Sequence, residues 1–191
     1  MKKVFVFVGH PSENSFCKAI GESYFKGAKS SGYKTKIMYL SEMEFDSNLK
    51  EGYKIEQTLE SDLVLFQKNL LWADHIVFVT PIWWGSIPAK FKGVIDRTIL
   101  PGFAFKYEKK SLLPKQFFRG KSGRIIFTKG GPWLFYFGAL VSSSMVLRRF
   151  VLNFIGVSPV RVKSFYSVRK LSLERAKRIL DIVFRMGKKA R

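Results

Sequence analysis

A three-layer α/β fold, in which a five-stranded parallel sheet carries helices on both faces, is predicted by three features of this sequence. Apolar runs of strand length alternate with stretches of helical spacing along the chain, which is the βαβ pattern. The first run, Lys3 to Val8, is almost continuously Val and Phe, as expected of a strand buried on both faces. No Gly-x-Gly-x-x-Gly follows it and five strands are counted rather than six, which disfavours a dinucleotide-type sheet and favours the order 2-1-3-4-5.

Each element has its own warrant. Ser12 and Asn14 offer helix caps after the first strand, and Phe16, Ala19, Ile20, Ser23 and Gly27 then fall at helical spacing until Gly32 ends the helix. Thr35 to Leu40 reads as the second strand, and Ser41 to Thr58 as a polar connection. Leu59, Leu63, Phe66 and Leu70 recur at three- and four-residue steps, which marks a helix with one core face. His75 to Thr80 is the third strand, Ala89 to Ile99 a helix, and Pro101 to Gly120 a loop rich in Gly, Lys and aromatics. Arg124 to Thr128 and Val160 to Phe165 supply the last two strands, and Ser172 caps a final helix with Leu173, Ala176, Ile179, Leu180 and Val183 on one side. With no repeat, low-complexity tract or linker, residues 1 to 191 are expected to form one flavodoxin-like domain.

Composition narrows the function classes. A chain that is 47% hydrophobic and 16% aromatic belongs with globular proteins. The single cysteine, Cys17, rules out an internal disulfide, and two distant histidines, His10 and His75, make no zinc-type ligand set, so no metal is expected. Five apolar residues after Met1-Lys2-Lys3 are too few for a secretory signal. The longest uncharged segment, Gly130 to Leu147, is interrupted by serines, glycines and a proline, which argues against a membrane span and for a soluble, cytoplasmic protein. The net charge of +20 suits polyanions or phosphate-bearing cofactors. Its clusters at Lys106-Lys109-Lys110, Arg148-Arg149 and Lys188-Lys189-Arg191 come with no nucleic-acid motif, so no specific nucleic acid is expected.

The chemistry gathers after the third strand. The apolar run stops at Pro81, two adjacent indoles follow in Ile82-Trp83-Trp84, and a Gly85-Ser86 turn precedes a helix starting near Pro88-Ala89. In an open α/β sheet the carboxyl edge of the strands is where ligands bind, and paired indoles there suit a flat ring such as a flavin. Gly9-His10-Pro11-Ser12-Glu13-Asn14-Ser15-Phe16 adds hydroxyls and free backbone N–H groups at a helix N-terminus, where the dipole favours a phosphate. Taken singly, each piece has a plainer reading: Ser and Asn cap helices, tryptophans fill cores, Cys17 is a small buried hydrophobe, His75 is structural, and Asp96-Arg97 is an ion pair holding a helix.

Together the pieces resemble the flavodoxin-like NAD(P)H:quinone oxidoreductases, the family that includes DT-diaphorase and bacterial NAD(P)H dehydrogenases (quinone). The resemblance rests on Gly9-His10-Pro11 with Ser15-Phe16, Ala73-Asp74, Pro81-Ile82-Trp83-Trp84-Gly85 with Pro88-Ala89, Lys92-Gly93 with Asp96-Arg97, Gly102-Phe103-Ala104-Phe105 with Tyr107, and Thr128-Lys129-Gly130-Gly131. It covers about residues 1 to 131 and thins afterwards. It implies a flavin, FAD or FMN, whose phosphate is held at His10, Ser15 and Phe16. The ring wall would be Pro81, Ile82, Trp83 and Trp84, and the ring's pyrimidine edge would lie at Thr128, Lys129, Gly130 and Gly131. It further implies NADH or NADPH as reductant, a quinone-type acceptor, and a homodimer in which Phe105 and Tyr107 close the neighbouring subunit's substrate pocket.

Two departures stand out. Lys129 occupies a position where family members often carry Thr or Ser. No His follows Gly131 to complete the Tyr-His relay of some members, which leaves Tyr136 as the candidate catalytic phenol. Trp133-Leu134-Phe135-Tyr136-Phe137 is also unusually apolar for a loop, and with the positive charge it suits the competing reading: a flavin-binding ancillary subunit docked on a membrane transporter or another partner at an anionic membrane face.

Overall fold

A computed structural model describes residues 1–55, 57–108, 111, 113–136 and 145–191, with the backbone alone at Phe135. Strands β1 (Lys3–Val8), β2 (Lys34–Tyr39), β3 (His75–Ile82), β6 (Ser122–Lys129) and β7 (Val160–Phe165) form one parallel sheet in the order β2-β1-β3-β6-β7. By count within the sheet this is the expected 2-1-3-4-5. The loop after the third helix holds an antiparallel ribbon of two short strands, β4 (Phe105–Lys106) and β5 (Lys115–Gln116), where no regular structure was expected.

The two faces of the sheet are chemically different. Val4, Val6, Val8, Val77, Val79 and Ile126 point to helices α1 (Phe16–Ser30) and α4 (Leu173–Lys189). Phe5, Phe7, Phe78, Ile125 and Phe127 point to the other face, toward α2 (Ser61–Trp72), α3 (Ala89–Thr98) and a π-helical run, Val146–Asn153. Small β-branched residues on the first face let its helices lie close. Gly27 and Gly187 complete that approach, since a Cβ at either would meet a backbone carbonyl oxygen, of Phe184 at 2.1 Å or of Tyr24 at 2.2 Å. On the second face Phe7 meets Phe66 at 4.8 Å and Phe91 at 5.1 Å, and Phe78 meets Phe91 edge-on at 5.4 Å. Each such pair is worth about 0.5–1.5 kcal/mol beyond its buried area.

Three expectations are corrected. The cap of α1 is Ser15 rather than Ser12 or Asn14, because Ser15 has the extended backbone of a cap and its Oγ accepts the Lys18 N–H at 3.2 Å. Strand β3 runs two residues past Thr80, through Pro81 and Ile82. β1 has ended by then, at the Val8–Val79 pair, the Gly9 carbonyl that a residue-81 N–H would meet accepts from the Thr80 hydroxyl at 3.2 Å instead, and β6 alone carries the pairing on to Ile82. Asp96 and Arg97 do not pair with each other: Asp96 binds Lys92 one turn back at 2.8 Å, whereas the fully buried Arg97 reaches Glu60 at 2.9 Å. Arg97 also donates to the carbonyls of Asp46 and Thr58, and so shapes the polar connection after β2.

His75 is structural, as its place at a strand start suggested. Its ring is buried between the Tyr24 hydroxyl, 3.0 Å from Nε2, and Ser122 Oγ, 2.8 Å from Nδ1. Burial, reinforced by the nearby charges of Lys2, Arg124 and Arg161, pushes its pKa down to about 3. Among the described residues no helix is long and apolar enough to cross a membrane. Trp133–Tyr136 forms a 3-10 turn with Trp133 and Leu134 exposed, while Phe137 of that aromatic run and Lys109-Lys110 lie outside the described residues.

Candidate active site

The carboxyl ends of β1, β3 and β6 lie side by side, and each delivers one of the motifs singled out in the sequence. The strand order reverses direction between β1 and β3, the place in an open α/β sheet where a crevice forms. After β1, Gly9 stays tied to β3 through its N–H to the Val79 carbonyl at 2.7 Å, and the chain then turns into α1. The Ser12 N–H donates to His10 Nδ1 at 3.0 Å, the shorter of two contacts between these residues, the other being 3.2 Å to the Ser12 carbonyl. Partial burial holds the imidazole below its usual pKa, with the Ser12 backbone contact acting the other way. A neutral ring accepting at Nδ1 carries its hydrogen on Nε2, which makes His10 a donor. The first N–H groups of α1, at Phe16 and Cys17, have no carbonyl within the helix and point out of its N-terminus.

After β3, Trp83 to Ser86 form a two-residue hairpin turn. The Trp83 N–H donates to Ser86 O at 2.8 Å and the Ser86 N–H to Trp83 O at 2.9 Å. Both central residues lie in the left-handed region, Trp84 at φ 49° and Gly85 at φ 76°, the type I′ geometry that Gly accepts freely and Trp does not. The strained turn displays the indoles: Trp84 is 104% exposed and Trp83 44%. The Trp83 ring stands edge-on to the His10 ring with centroids 5.4 Å apart, which joins the β1 and β3 loops. Pro81 and Ile82, by contrast, are buried strand residues, and Ile82 belongs to the core.

After β6, Thr128 and Lys129 are buried beside Pro81 and Ile82, their partners in register. The Thr128 hydroxyl lies 3.2 Å from Cys17 Sγ, and burial pushes that thiol up to about 12, so Cys17 is packing rather than a nucleophile. The Lys129 ammonium lies over the ring of Tyr136 at 4.5 Å and over that of Tyr166 at 4.9 Å. Gly130 leaves room for Arg169, whose Nε would stand 2.8 Å from a Cβ there, and the Ser167 N–H donates to Gly131 O at 2.9 Å. Tyr166 and Arg169 were missed in the sequence. The available signal was their place just past the carboxyl end of a strand, where site residues collect in this architecture.

Phe105 and Tyr107 are not brought to the indoles within the chain. Phe105 packs on Phe154 at 4.9 Å and on Tyr107 at 5.3 Å, and both line a groove of about 470 Å³ between α3 and the π-helical run. A larger cavity of about 540 Å³ lies between the 49–59 connection and Leu100–Phe103, away from the strand ends. Among the described residues no group of three His, Cys, Asp or Glu is placed to hold a metal ion.

Known proteins are similar to this chain in sequence and in fold. NAD(P)H dehydrogenase [quinone] 1 of Rattus norvegicus is 24% identical over 193 residues, covering 88% of this chain and 70% of that protein. The same-named protein of Cavia porcellus is 26% identical over 152 residues, and there the chain spans about half of the relative's length, 54%. The crystal structure of Smu.1420 from Streptococcus mutans superposes with a TM-score of 0.83 at 26% identity, covering 98% of this chain and 99% of that one. The family described as a flavodoxin-like fold matches residues 2–186, and this chain belongs to it.

Proposed function

We propose that this chain is a flavin-dependent oxidoreductase that passes hydride from NADH or NADPH to a quinone-type acceptor. The observation that carries the reading is the strained turn at the β1/β3 switch point, which holds two exposed indoles beside a helix N-terminus. The residues present fit a flavin. Trp83 and Trp84 offer flat apolar faces, His10 Nε2 and the first turn of α1 offer donors for a phosphate, and the Thr128–Gly131 loop offers backbone N–H groups and a cation. A bound flavin supplies the hydride chemistry itself.

The chain's own residues then have limited tasks. Trp83 and Trp84 stack and exclude water, His10 and the Ser15–Phe16 helix start anchor the phosphate, and Gly130-Gly131 donate to the ring edge. Relatives named NAD(P)H dehydrogenase [quinone] support the choice of reductant and acceptor. The groove holding Phe105 and Tyr107 supports a homodimer, since its Ile95, Ile99, Val146 and Phe150 form an apolar seat for a second copy and would bring this segment to the partner's pocket.

An absorbance spectrum of the purified protein, mass analysis of any released cofactor and anaerobic addition of NADPH or NADH test the reading together. The expected result is a yellow protein releasing FMN or FAD and bleached by one of the two nucleotides. A colourless protein that takes up neither flavin at millimolar supply sinks the proposal. Flavin held but never reduced by nicotinamide would favour the ancillary-subunit reading, which the exposed Trp133 and Leu134 also suit.

A further inference from the structure

We propose that Lys129, caged by Tyr136 and Tyr166, is a fixed cation that balances the charge a Tyr-His relay would otherwise discharge; this rests on the flavin reading above. The two departures noted in the sequence, a lysine before the double glycine and a tyrosine with no histidine after it, are one unit in the structure. Lys129 is only 6% exposed, and its ammonium sits over both phenol rings, whose centroids are 5.7 Å apart at 55°. Register explains why Tyr166 completes the cage: Thr128 pairs with Phe165, so the residues that follow stand beside each other.

The nature of the cage decides its function. A carboxylate partner would hold the ammonium and cancel its field, whereas aromatic faces hold it through their quadrupoles and leave the full positive charge in place. Among the described residues no carboxylate pairs with Lys129. Lys121 and Lys36, which also stand over rings, differ in that they are less buried and also donate to oxygens, Lys121 to two backbone carbonyls and Lys36 to Asn69, whereas Lys129 is buried over two rings. Arg169, laid over Gly130, adds a second cation to the same loop. Because Lys129 is itself buried, its charge acts through a lower effective dielectric than a solvated one would.

The task is set by electron and proton balance. Hydride brings two electrons and one proton from the reduced nicotinamide, which leaves as the oxidised cation, and one negative charge stays on the accepting ring system. A relay would cancel it with a second proton. Lys129 offsets it without one. When the same hydride passes on to the quinone, that negative charge leaves with it, and a solvent proton completes the hydroquinone.

The test compares wild type with K129M, K129R and Y136F, measuring flavin affinity by fluorescence quenching and the midpoint potential by equilibration with redox dyes. K129M is expected to bind flavin with a reduced-to-oxidised ratio about tenfold lower at the wild-type midpoint, about 30 mV for a two-electron couple. K129R should restore the wild-type value and Y136F should leave it unchanged, because the ring rather than the hydroxyl is used. Wild type alone gives a second readout that needs no folded variant: uptake of one proton per two electrons should persist to more acidic pH than for free flavin in the same buffer. Flavin bound with that profile unshifted, K129M matching wild type, or Y136F falling as far as K129M would overturn the inference and leave the oxidoreductase reading standing. Failure of wild type to bind any flavin would overturn both.

Discussion

The two edges of the sheet use the same kinds of residue to opposite ends. At the amino edge the histidine and the cations are held by oxygens: His75 is locked between two hydroxyls, Lys121 binds the Leu71 and Ala73 carbonyls, Lys2 binds that of Ala190, and Arg124 that of Arg191. In a parallel α/β fold this edge collects helix C-termini, whose unpaired carbonyls and negative dipole ends attract cations. Lys121 closes α2 and Lys2 closes α4 in this way, so part of the +20 charge is helix capping and calls for no polyanionic partner. The carboxyl edge collects helix N-termini instead. There a histidine is a half-buried donor, a lysine rests on ring faces, and two indoles stand in solvent. The difference separates charge that stabilises the fold from charge that the proposed site would use.

The sharpest way to break the comparison is to delete the indoles. Because Trp84 is fully exposed and Trp83 half so, W83A/W84A should leave thermal stability nearly unchanged. Flavin affinity should fall by about thirtyfold or more, since stacking on one aromatic side chain is worth about 1–3 kcal/mol. Fluorescence titration beside a melting curve measures both quantities. A large drop in melting temperature with affinity retained would make these tryptophans core residues after all.

At the opposite edge the effects should reverse. His75→Asn leaves the Tyr24 and Ser122 hydroxyls without their buried partner, a cost of about 2 kcal/mol at pH 7, with flavin affinity unchanged. Its pH dependence has a definite sign. The folded-state pKa of about 3 lies below the unfolded value, so the unfolded chain binds the proton first as pH falls. The stability His75 contributes is therefore complete above about pH 6.5 and is lost toward pH 3, at up to about 1.4 kcal/mol per pH unit. Urea midpoints recorded between pH 7 and 4 should fall steeply in wild type and less steeply in His75→Asn. Parallel curves would remove His75 from the account.

How much of this was legible depends on how far apart the partners lie. The strands could be read because Val4, Val6 and Val8 interleave with Phe5 and Phe7, and both sets are buried, so no polar residue interrupts the run. The indole turn could be read because its signals are adjacent. Ser15 was not chosen over Ser12 and Asn14, since all three are good cap types and only backbone geometry separates them. The partner of Arg97 was misjudged because the nearest acid, Asp96, points one way along the helix while Arg97 points inward to Glu60. Tyr166 escaped because it meets Lys129 only through the pairing of β6 with β7.

A smaller effect tests the helix start at the ligand edge. Ser15→Ala removes the Oγ acceptor of the Lys18 N–H and should cost about 1 kcal/mol, a fall in melting temperature of about 2–4 °C for a chain of this size. A phosphate at the same N-terminus would favour the exposed N–H groups, so saturating FMN should narrow the gap between variant and wild type. An equal gap with and without FMN would take the phosphate away from this helix.

The smallest expected change is at Lys121. Lys121→Met keeps the length of the side chain and deletes the ammonium that binds the Leu71 and Ala73 carbonyls and lies 5.7 Å from the centroid of the Phe118 ring. The Leu71 carbonyl belongs to an exposed residue and can turn to water while Ala73 is buried, so the loss should be about 0.5–1 kcal/mol and should shrink as salt is added. Flavin affinity and potential should not move, in contrast to K129M, although both substitutions remove one lysine charge. If Lys121→Met shifted the potential as far as K129M, net charge rather than position would govern the site, and the distinction between the two edges would fail.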